Sequence, residues 1–215
     1  MPMRFYVVKL GGSLIGCAKE IVRRLCILAE SGYGFLVVPG GGPMADLVRE
    51  LYARGMVSDE AAHWMAVLAM EEYAYLLADG TGAELVDDPS PSQGLRILRP
   101  YRYLLEDDRG LEHSWDYTSD SIAALVACRL GSDMIKVTDV DGVLISGKLV
   151  PYVRASELMG FLSCMDQGSL RIIDSCGIRC FVLNGSSPDE LIAMVEELPE
   201  RCRGTVICSR SLECC

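Results

Sequence analysis

Near its start the sequence reads Phe5-Tyr6-Val7-Val8-Lys9-Leu10-Gly11-Gly12-Ser13, a nearly continuous apolar run that breaks at two glycines. Such a run is typical of a strand buried on both faces of a sheet. Apolar residues at helical spacing follow from Cys17 to Ser31, and a second buried strand, Phe35 to Val38, ends at Pro39-Gly40-Gly41-Gly42. These three elements form a βαβ unit. Because such crossovers are almost always right-handed and join parallel strands, both glycine turns are expected at the same edge of the sheet.

The rest of the chain continues to alternate helices and strands. The sequence predicts helices at residues 43–54, 58–78, 122–130, 169–176 and 188–197, and strands at residues 134–138, 180–183 and 205–208. Ser146-Gly147 is expected to be the turn of a small hairpin, and residues 80–115 are expected to hold loops and one or two short strands. This order predicts an α/β fold, a three-layer α/β/α sandwich with a mainly parallel central sheet. The length of 215 residues favours one domain over residues 1–215.

The composition argues against several classes of partner. The chain carries 20 basic and 30 acidic side chains, a formal charge of −10, which opposes nonspecific attraction to nucleic acid or to an anionic membrane. Apolar runs such as residues 35–38 are too short to span a bilayer, and residues 1–5 lack the apolar stretch of a secretion signal. We therefore expect a cytoplasmic protein with no nucleic-acid partner and no membrane partner.

Ten cysteines are scattered through apolar segments, and no two of them have Cys-x-x-Cys spacing. In a chain without an export signal, most are expected to be reduced residues of the core. No metal site is predicted from them.

The two glycine clusters, Gly11-Gly12-Ser13 and Gly40-Gly41-Gly42, each follow a buried strand and precede a helix. Backbone N–H groups and helix N-termini at such positions can converge on a phosphate. Neither cluster is Gly-x-x-x-x-Gly-Lys-Ser/Thr or Gly-x-Gly-x-x-Gly, which argues against a P-loop ATPase and a dinucleotide-binding fold. A single cluster is more often only a tight turn, but two at one sheet edge favour a phosphate site.

Four polar residues are expected near those turns. Lys9 ends the first strand, where its ammonium can reach a phosphate; the alternative is a lysine that extends to solvent. Asp120 lies in the first turn of a helix, where it either caps the helix or orients the lysine. Asp139 and Asp141 follow a parallel strand at the edge where α/β folds bind ligands, although Asp-x-Asp-Gly is also a common polar turn.

The order of these motifs resembles the amino acid kinase superfamily over nearly the whole chain. The resemblance rests on Val8-Lys9-Leu10-Gly11-Gly12-Ser13, Val38-Pro39-Gly40-Gly41-Gly42-Pro43, Thr118-Ser119-Asp120-Ser121-Ile122-Ala123-Ala124, Thr138-Asp139-Val140-Asp141-Gly142-Val143 and Gly204-Thr205-Val206-Ile207. It implies a carbamate kinase-like fold, ATP and Mg²⁺ as cofactors, a small-molecule phosphate acceptor, and a homo-oligomer, either dimer or hexamer. No dedicated carboxylate cage for Mg²⁺ is evident, in keeping with the tendency of Mg²⁺ to bind through nucleotide phosphates.

The same resemblance implies roles for individual residues. Lys9 would stabilise the phosphoryl group in transfer, and Asp120 would hold that lysine in place. The other implied site residues are Gly11, Gly12 and Ser13 for the ATP phosphates, Thr138, Asp139, Asp141 and Gly142 for the nucleotide, and Gly40, Gly41, Gly42, His63, His113, Trp115 and Thr118 for the acceptor. Such a site is physically coherent because phosphoryl transfer needs positioning and charge neutralisation more than covalent help.

One departure from the family pattern concerns a second positive charge. Many relatives carry a second catalytic lysine after a Gly-Gly-Met-like segment, whereas residues 158–168 contain none. Lys136, Lys148 and Arg171 are the candidates, with Lys148 alternatively a hairpin-tip residue and Arg171 alternatively part of an exposed helix face. The sequence does not choose among them.

Two further segments resemble a short branch of the family that phosphorylates 5-(aminomethyl)-3-furanmethanol phosphate in methanofuran biosynthesis. They are Ala62-His63-Trp64-Met65-Ala66 with Ala69-Met70-Glu71, and His113-Ser114-Trp115-Asp116-Tyr117. The implied reaction turns ATP and a furfurylamine phosphate monoester into ADP and the diphosphate. The second glycine turn suits an acceptor that is itself a phosphate, and its aminomethyl cation would need a carboxylate. His63 and Trp64 are alternatively packed residues of a helix.

Two other functions stay open from the sequence. One is a kinase for another phosphomonoester, such as UMP or isopentenyl phosphate. The other is a nonenzymatic nucleotide-binding or anion-binding protein on the same fold. Lys9 and Asp120 together favour catalysis, because simple binding has no evident need for an aspartate that orients a lysine.

Overall fold

The structure is a computed structural model that describes residues 3–108 and 110–209. Its strands are β1 Arg4–Leu10, β2 Tyr33–Pro39, β3 Glu84–Val86, β4 Gly94–Leu98, β5 Asp133–Thr138, β6 Leu144–Ile145, β7 Lys148–Leu149, β8 Tyr152–Arg154, β9 Cys180–Asn184 and β10 Thr205–Cys208. Its helices are α1 Ala18–Ala29, α2 Met44–Ala53, α3 Asp59–Ala78, α4 Pro100–Glu106, α5 Ser119–Leu130, α6 Ala155–Leu158, α7 Gln167–Cys176 and α8 Pro188–Glu196. None of these helices is long and apolar enough to cross a membrane.

Eight strands form one sheet in the order β3-β4-β2-β1-β5-β9-β10-β8. The six strands from β3 to β9 pair in parallel, β10 is antiparallel to β9, and β8 is parallel to β10. The predicted mainly parallel sheet is therefore confirmed. The two remaining strands, β6 and β7, form a separate antiparallel hairpin, as the turn at Ser146-Gly147 predicts.

Helices cover both faces of this sheet. Alternate residues of β1 point to opposite faces. Val8 and Leu10 belong to the apolar cluster that contains α1 and α8, while Val7 belongs to the cluster that contains α4, α5, α6 and α7. Helix α3 contributes to both clusters. The predicted three-layer sandwich is thus confirmed. Lys9 lies two residues after Val7 on β1, so its side chain is directed to the same face, the side of α5 and α7.

Three short elements differ from the sequence-based expectation. Helix α4 lies within residues 80–115, where only loops and strands were expected, and its Pro100 occupies the first helical turn. Strand β8 and helix α6 also have no counterpart in the prediction. These elements are only three to seven residues long, too short for periodicity to identify, so tertiary packing determines them.

Cysteines at the ends of two helices depart from the expected reduced state. Cys128 at the end of α5 and Cys176 at the end of α7 form a disulfide with a Cα–Cα distance of 5.7 Å. Cys17, Cys26, Cys164, Cys180 and Cys202 carry free thiols. These five are reduced as expected, with Cys180 in the core and the other four half-buried, whereas Cys128 and Cys176 are oxidised.

Candidate active site

The two glycine turns meet at the carboxyl edge of the sheet. Strands β1 and β2 pair in parallel, with Leu10 opposite Pro39, and Gly40 N donates to Leu10 O at 2.9 Å. A Cβ on Gly12 would lie 2.1 Å from the Cα of Gly42, so only glycine at position 12 lets the two turns approach this closely. Both turns lie at the same edge, as the βαβ pattern predicts.

Lys9 belongs to a buried three-charge cluster beside the first turn. Its Nζ lies 3.0 Å from Asp120 Oδ1 and 3.8 Å from the point where a Cβ on Gly11 would be. Lys136 lies opposite Lys9 on β5, and its Nζ donates to Asp120 Oδ2 at 2.5 Å and also to the carbonyl oxygen of Cys164. The register of β1 against β5 and the position of α5 thus bring together the predicted residues Lys9 and Asp120. They also place Lys136, a candidate for the second positive charge, beside Asp120.

The electrostatics of this cluster favour the charged forms of Asp120 and Lys136. Burial alone would raise the pKa of Asp120, but the two ammonium groups outweigh burial and lower that pKa to about 2. Burial would lower the pKa of Lys136, but Asp120 outweighs it and raises the pKa. The pKa of Lys9 is lowered by burial and by repulsion from Lys136, against the attraction of Asp120. The charged form of Lys9 is therefore less stabilised by its surroundings than the charged form of Lys136.

Asp166, which the sequence-based prediction missed, fixes the start of α5. Its carboxylate accepts hydrogen bonds from Thr118 N and Oγ1 at 2.8 and 2.7 Å, from Ser121 N and Oγ at 3.1 and 2.7 Å, and from Ser169 N at 2.7 Å. Asp166 is also the N-cap of α7. One carboxylate thus caps two helices and fixes the turn that carries Asp120. The sequence offered only a weak signal, an aspartate before a helical run.

The predicted nucleotide residues lie at the end of β5 and in the loop that follows it. Thr138 is buried, whereas Asp139 and Asp141 are exposed in the following loop. Asn184 Nδ2 donates to Asp141 Oδ1 at 2.7 Å, which joins this loop to β9. Gly142 is packed against Thr205 and has φ +151°. The loop lies at the same sheet edge as the glycine turns, because β1 and β5 are parallel neighbours.

A cavity opens next to the second glycine turn. The space in it that is open to the centre of a water molecule is about 40 Å³, and its lining is Gly41, Ala45, Arg49, Asp59, Ala62, His63, Ala66, Val67, Met70, Ser114, Trp115, Tyr117, Thr118, Ser119 and Ile122. The predicted acceptor residues Gly41, His63, Trp115 and Thr118 are among them. Gly40, Gly42 and His113 are not part of the lining.

His113 instead packs against His63, which lines the cavity. Its ring stacks on that of His63 with centroids 3.8 Å apart, its Nδ1 bonds to Glu60, and its Nε2 lies 3.2 Å from Asp108 Oδ2. Burial and the neighbouring His113 lower the pKa of His63 to about 4, so His63 is neutral at pH 7. It therefore presents a neutral polar surface to the cavity.

Two buried polar atoms at the cavity have no hydrogen-bond partner. They are His63 Nε2 and Ser114 Oγ. Buried polar atoms are normally paired, and these two atoms are placed to bond to a polar group that enters the cavity.

The other candidates for the second cation lie outside the cluster. Lys148 is exposed in the β6–β7 hairpin. Arg171 is half exposed and donates to Tyr117 Oη at 3.2 Å. Among the described residues, no group of three or more His, Cys, Asp or Glu side chains is arranged to hold a metal ion.

Comparisons of sequence and fold relate this chain to known proteins. A model of the amino acid kinase family matches residues 4–89 and 104–184. The chain is 30% identical over 203 residues to the 5-(aminomethyl)furan-3-yl methyl phosphate kinase of Methanocaldococcus jannaschii, covering 89% of this chain and 93% of that protein. It is 27% identical over 222 residues to the uridylate kinase of Hyperthermus butylicus, covering 92% and 97%. The fold matches the crystal structure of uridylate kinase from Archaeoglobus fulgidus with a TM-score of 0.71 at 21% identity, covering 95% of this chain and 100% of that chain.

Proposed function

This chain belongs to the amino acid kinase family and is an ATP-dependent kinase, and we propose that its acceptor is 5-(aminomethyl)-3-furanmethanol phosphate. An oxygen of the acceptor phosphate attacks the γ-phosphorus of ATP, the bond from that phosphorus to the ADP oxygen breaks, and the diphosphate and ADP are formed. The acceptor phosphate is already ionised at pH 7, so the reaction requires no general base.

The observation that carries the proposal is the convergence of Lys9, two glycine turns and the start of α5 at one edge of the sheet, with a cavity next to the second turn. The turns supply backbone N–H groups, and Lys9 supplies a positive charge in a place with little water. Asp120 holds Lys9 at 3.0 Å. These groups suit the charge that develops on the transferred phosphoryl group. We assign Gly11, Gly12 and Ser13 to the ATP phosphates and the loop from Thr138 to Gly142 to the nucleotide.

The cavity supports an acceptor with an ammonium group. Asp59 contributes a carboxylate to its lining, and this carboxylate accepts a hydrogen bond from Tyr52 Oη at 2.6 Å. Trp115 contributes a flat apolar wall that packs edge-on against Tyr52 and stacks with Arg49. A furan ring against Trp115 would bring its aminomethyl cation to Asp59, while its phosphate faces Gly41 and Thr118.

Mg²⁺ fits this site as an ion carried by ATP. The carboxylates of Asp120 and Asp166 are occupied by lysines and by hydrogen-bond donors, whereas Asp139 and Asp141 are exposed at the sheet edge and each accept one hydrogen bond from a neighbouring side chain. When bound, the ion would neutralise the phosphate charge. The protein residues orient the phosphates and exclude water.

The test is ADP release with Mg-ATP against five conditions: the aminomethylfuran phosphate, UMP, isopentenyl phosphate, acetylglutamate and buffer alone. We expect turnover with the first acceptor only. Asp59→Asn should raise the KM for that acceptor about tenfold or more, because it removes the partner of the cation, while the KM for ATP stays unchanged. Glu50→Gln, on the exposed side of α2, is the matched control. Turnover with UMP alone would reject the proposed acceptor.

Phosphorylation of UMP is the second candidate. The 27% identity with the Hyperthermus butylicus uridylate kinase favours it, and the assay above separates the two acceptors. A dimer or hexamer, which the family resemblance implies, stays a prediction that light scattering would check.

A further inference from the structure

Lysine is scarce in this chain, and half of its lysines lie in one cluster. The sequence contains 16 arginines but only four lysines, at positions 9, 19, 136 and 148. Lys19 pairs with Asp79 at the surface and Lys148 is exposed. Lys9 and Lys136 are both buried. Buried lysine is rare unless it is paired, so the position of Lys136 within an apolar strand requires a physical explanation.

Lys136 and Lys9 share one carboxylate but contact different oxygens. Their strands pair in parallel register, with Lys9 opposite Lys136, so both side chains are directed to the face covered by α5. Lys9 takes Oδ1 of Asp120 and Lys136 takes Oδ2. The carboxylate therefore lies between two ammonium groups.

The two contacts are unequal. Lys136 makes a hydrogen bond to Oδ2 at 2.5 Å and a second one to the carbonyl of Cys164, and its side chain is 4% exposed. The Lys9 contact to Oδ1 is longer, at 3.0 Å, and the Lys9 side chain is 10% exposed. Lys136 is thus held on the closed side of Asp120, and Lys9 faces the glycine turns.

We propose that Lys136 is a positioning residue of the transfer site: it holds Asp120 from the closed side and leaves the Lys9 ammonium directed at the phosphates. Without Lys136, Oδ2 would be buried and unpaired, and the carboxylate would turn to take Lys9 with both oxygens. Lys9 would then be drawn away from the glycine turns. This inference rests on the proposed function, since it takes Lys9 to contact the transferred group.

Lys136 also sets the net charge of the cluster. Two ammonium groups and one carboxylate leave one positive charge in excess, whereas Lys9 and Asp120 alone would be neutral. The charged and titratable groups that face Lys9 are Asp120 on α5, Lys136 on β5, Asp166 before α7, and Cys164 in the preceding loop. Removing Lys136 deletes the one like charge among them, so the pKa of Lys9 must rise.

The first test follows Lys9 directly by NMR titration of protein labelled with ¹³C at lysine Cε. The wild-type spectrum has only four side-chain signals to assign. We expect Lys136→Met to raise the pKa of Lys9 by at least about one unit. Lys148→Met, the matched control, should leave it unchanged. An unmoved Lys9 titration in Lys136→Met overturns the inference.

The second test separates positioning from a merely structural role. Lys136→Met should lower kcat at least about tenfold with less than a threefold change in the KM for ATP, because the reacting groups are misplaced while binding is kept. Lys136→Arg, which retains the charge, should recover part of kcat. If the loss of kcat only matches the loss of folded protein seen by circular dichroism, the inference is wrong.

A third measurement needs no variant and no turnover. Titration of the wild-type protein with Mg²⁺ and a nonhydrolysable ATP analogue should shift the Lys9 signal and leave that of Lys136 nearly in place. A larger shift at Lys136 would mean direct phosphate contact and would reject a positioning role. If the wild-type protein turns over none of the acceptors, the proposed function fails, while the two NMR experiments still decide the place of Lys136.

Discussion

At the scale of single residues, the main feature is a cluster of three buried charged side chains beside the first glycine turn. Lys9, Asp120 and Lys136 are each at most 10% exposed at the side chain. Burying an ion is costly unless a partner of opposite charge comes with it. The cluster meets this condition with one carboxylate for two ammonium groups, which leaves Lys9 available to a further anion.

We expect Lys9→Ala to lower turnover at least about a hundredfold, because it removes the charge that stabilises the transferred group. The protein should still fold, since Asp120 keeps Lys136 as its partner. ADP release measures the effect, and Lys148→Ala is the control for loss of a lysine. Unchanged turnover in Lys9→Ala would remove Lys9 from the mechanism.

His63 should make stability depend on pH. Its pKa is lowered from 6.5 to about 4 by burial and by His113. The unfolded chain therefore takes up a proton that the folded protein resists, and stability falls as the pH decreases from about 6.5 to about 4. Wild type should lose up to about 3 kcal/mol relative to His63→Gln over this range. Urea unfolding at pH 7 and pH 4 checks this; parallel losses in both proteins would contradict it.

Sequence reasoning reached some of these residues and missed others for identifiable reasons. Lys9 and Asp120 lie in motifs with glycines or cap residues beside them, so local pattern identified them. Lys136 carried a usable signal, a lysine within the apolar run 134–138, but choosing it required the register of β1 against β5. Asp166 acts on residues 45 and 48 positions away, which no local pattern reports.

At the scale of elements, helices α5 and α7 are tied at both ends. Asp166 bonds to both N-termini, and the Cys128–Cys176 disulfide joins the two C-termini. Gly168 allows the close approach, since a Cβ there would lie 2.3 Å from the Tyr117 ring. This helix pair holds Asp120 against the sheet.

Asp166→Asn should lower the free energy of unfolding by about 2 kcal/mol, because the amide nitrogen would face N–H and O–H donors that now bond to a carboxylate oxygen. Turnover should fall about tenfold through displacement of Asp120. Asp189→Asn, in the first turn of α8, is the control and should change little, because Asp189 forms only an exposed pair with Arg24. Urea denaturation and ADP release measure the two effects; wild-type values for both in Asp166→Asn would show that the cap is dispensable.

The contact between the glycine turns should tolerate no side chain. A Cβ on Gly12 would overlap the Cα and N of Gly42 at 2.1 and 2.4 Å, and both are backbone atoms. We expect Gly12→Ala to cost about 2 kcal/mol or more and to abolish most activity. Gly16→Ala is the matched control, because nothing lies within 4 Å of its Cβ. Equal unfolding midpoints for the two variants would contradict the predicted contact.

The sequence predicted the elements that are long enough to show a clear hydrophobic periodicity. Helix α3 has 20 residues and strand β1 has seven, and both were found within a residue or two of their bounds. Helix α4, strand β8 and helix α6 were not found. Pro100 was a start signal for α4, but the glycines and prolines around it favoured a loop.

At the scale of the whole molecule, one sheet connects the first strand of the chain with the last described one. Adjacent β1, β2 and β5 bring the two glycine turns and the nucleotide loop to one edge. The sequence predicted this convergence from chain order and handedness alone. It did not predict the strand directions at the edge beyond β9. There β10 and β8 run antiparallel to β9, and this pairing depends on packing rather than on a local sequence pattern. One domain over residues 1–215 stays a prediction.

The opposition of Lys9 and Lys136 across β1 and β5 also bears on the folding route. Two like charges in register repel, so early pairing of these strands is disfavoured until a carboxylate is present. Asp120 lies only 16 residues from Lys136, so the local α5–β5 unit can neutralise that strand before β1 arrives. Asp120→Asn should therefore slow refolding about tenfold or more in stopped-flow experiments, and adding Lys136→Met should restore part of the rate. Refolding at the wild-type rate in Asp120→Asn would mean that β1 docks before α5 reaches the sheet.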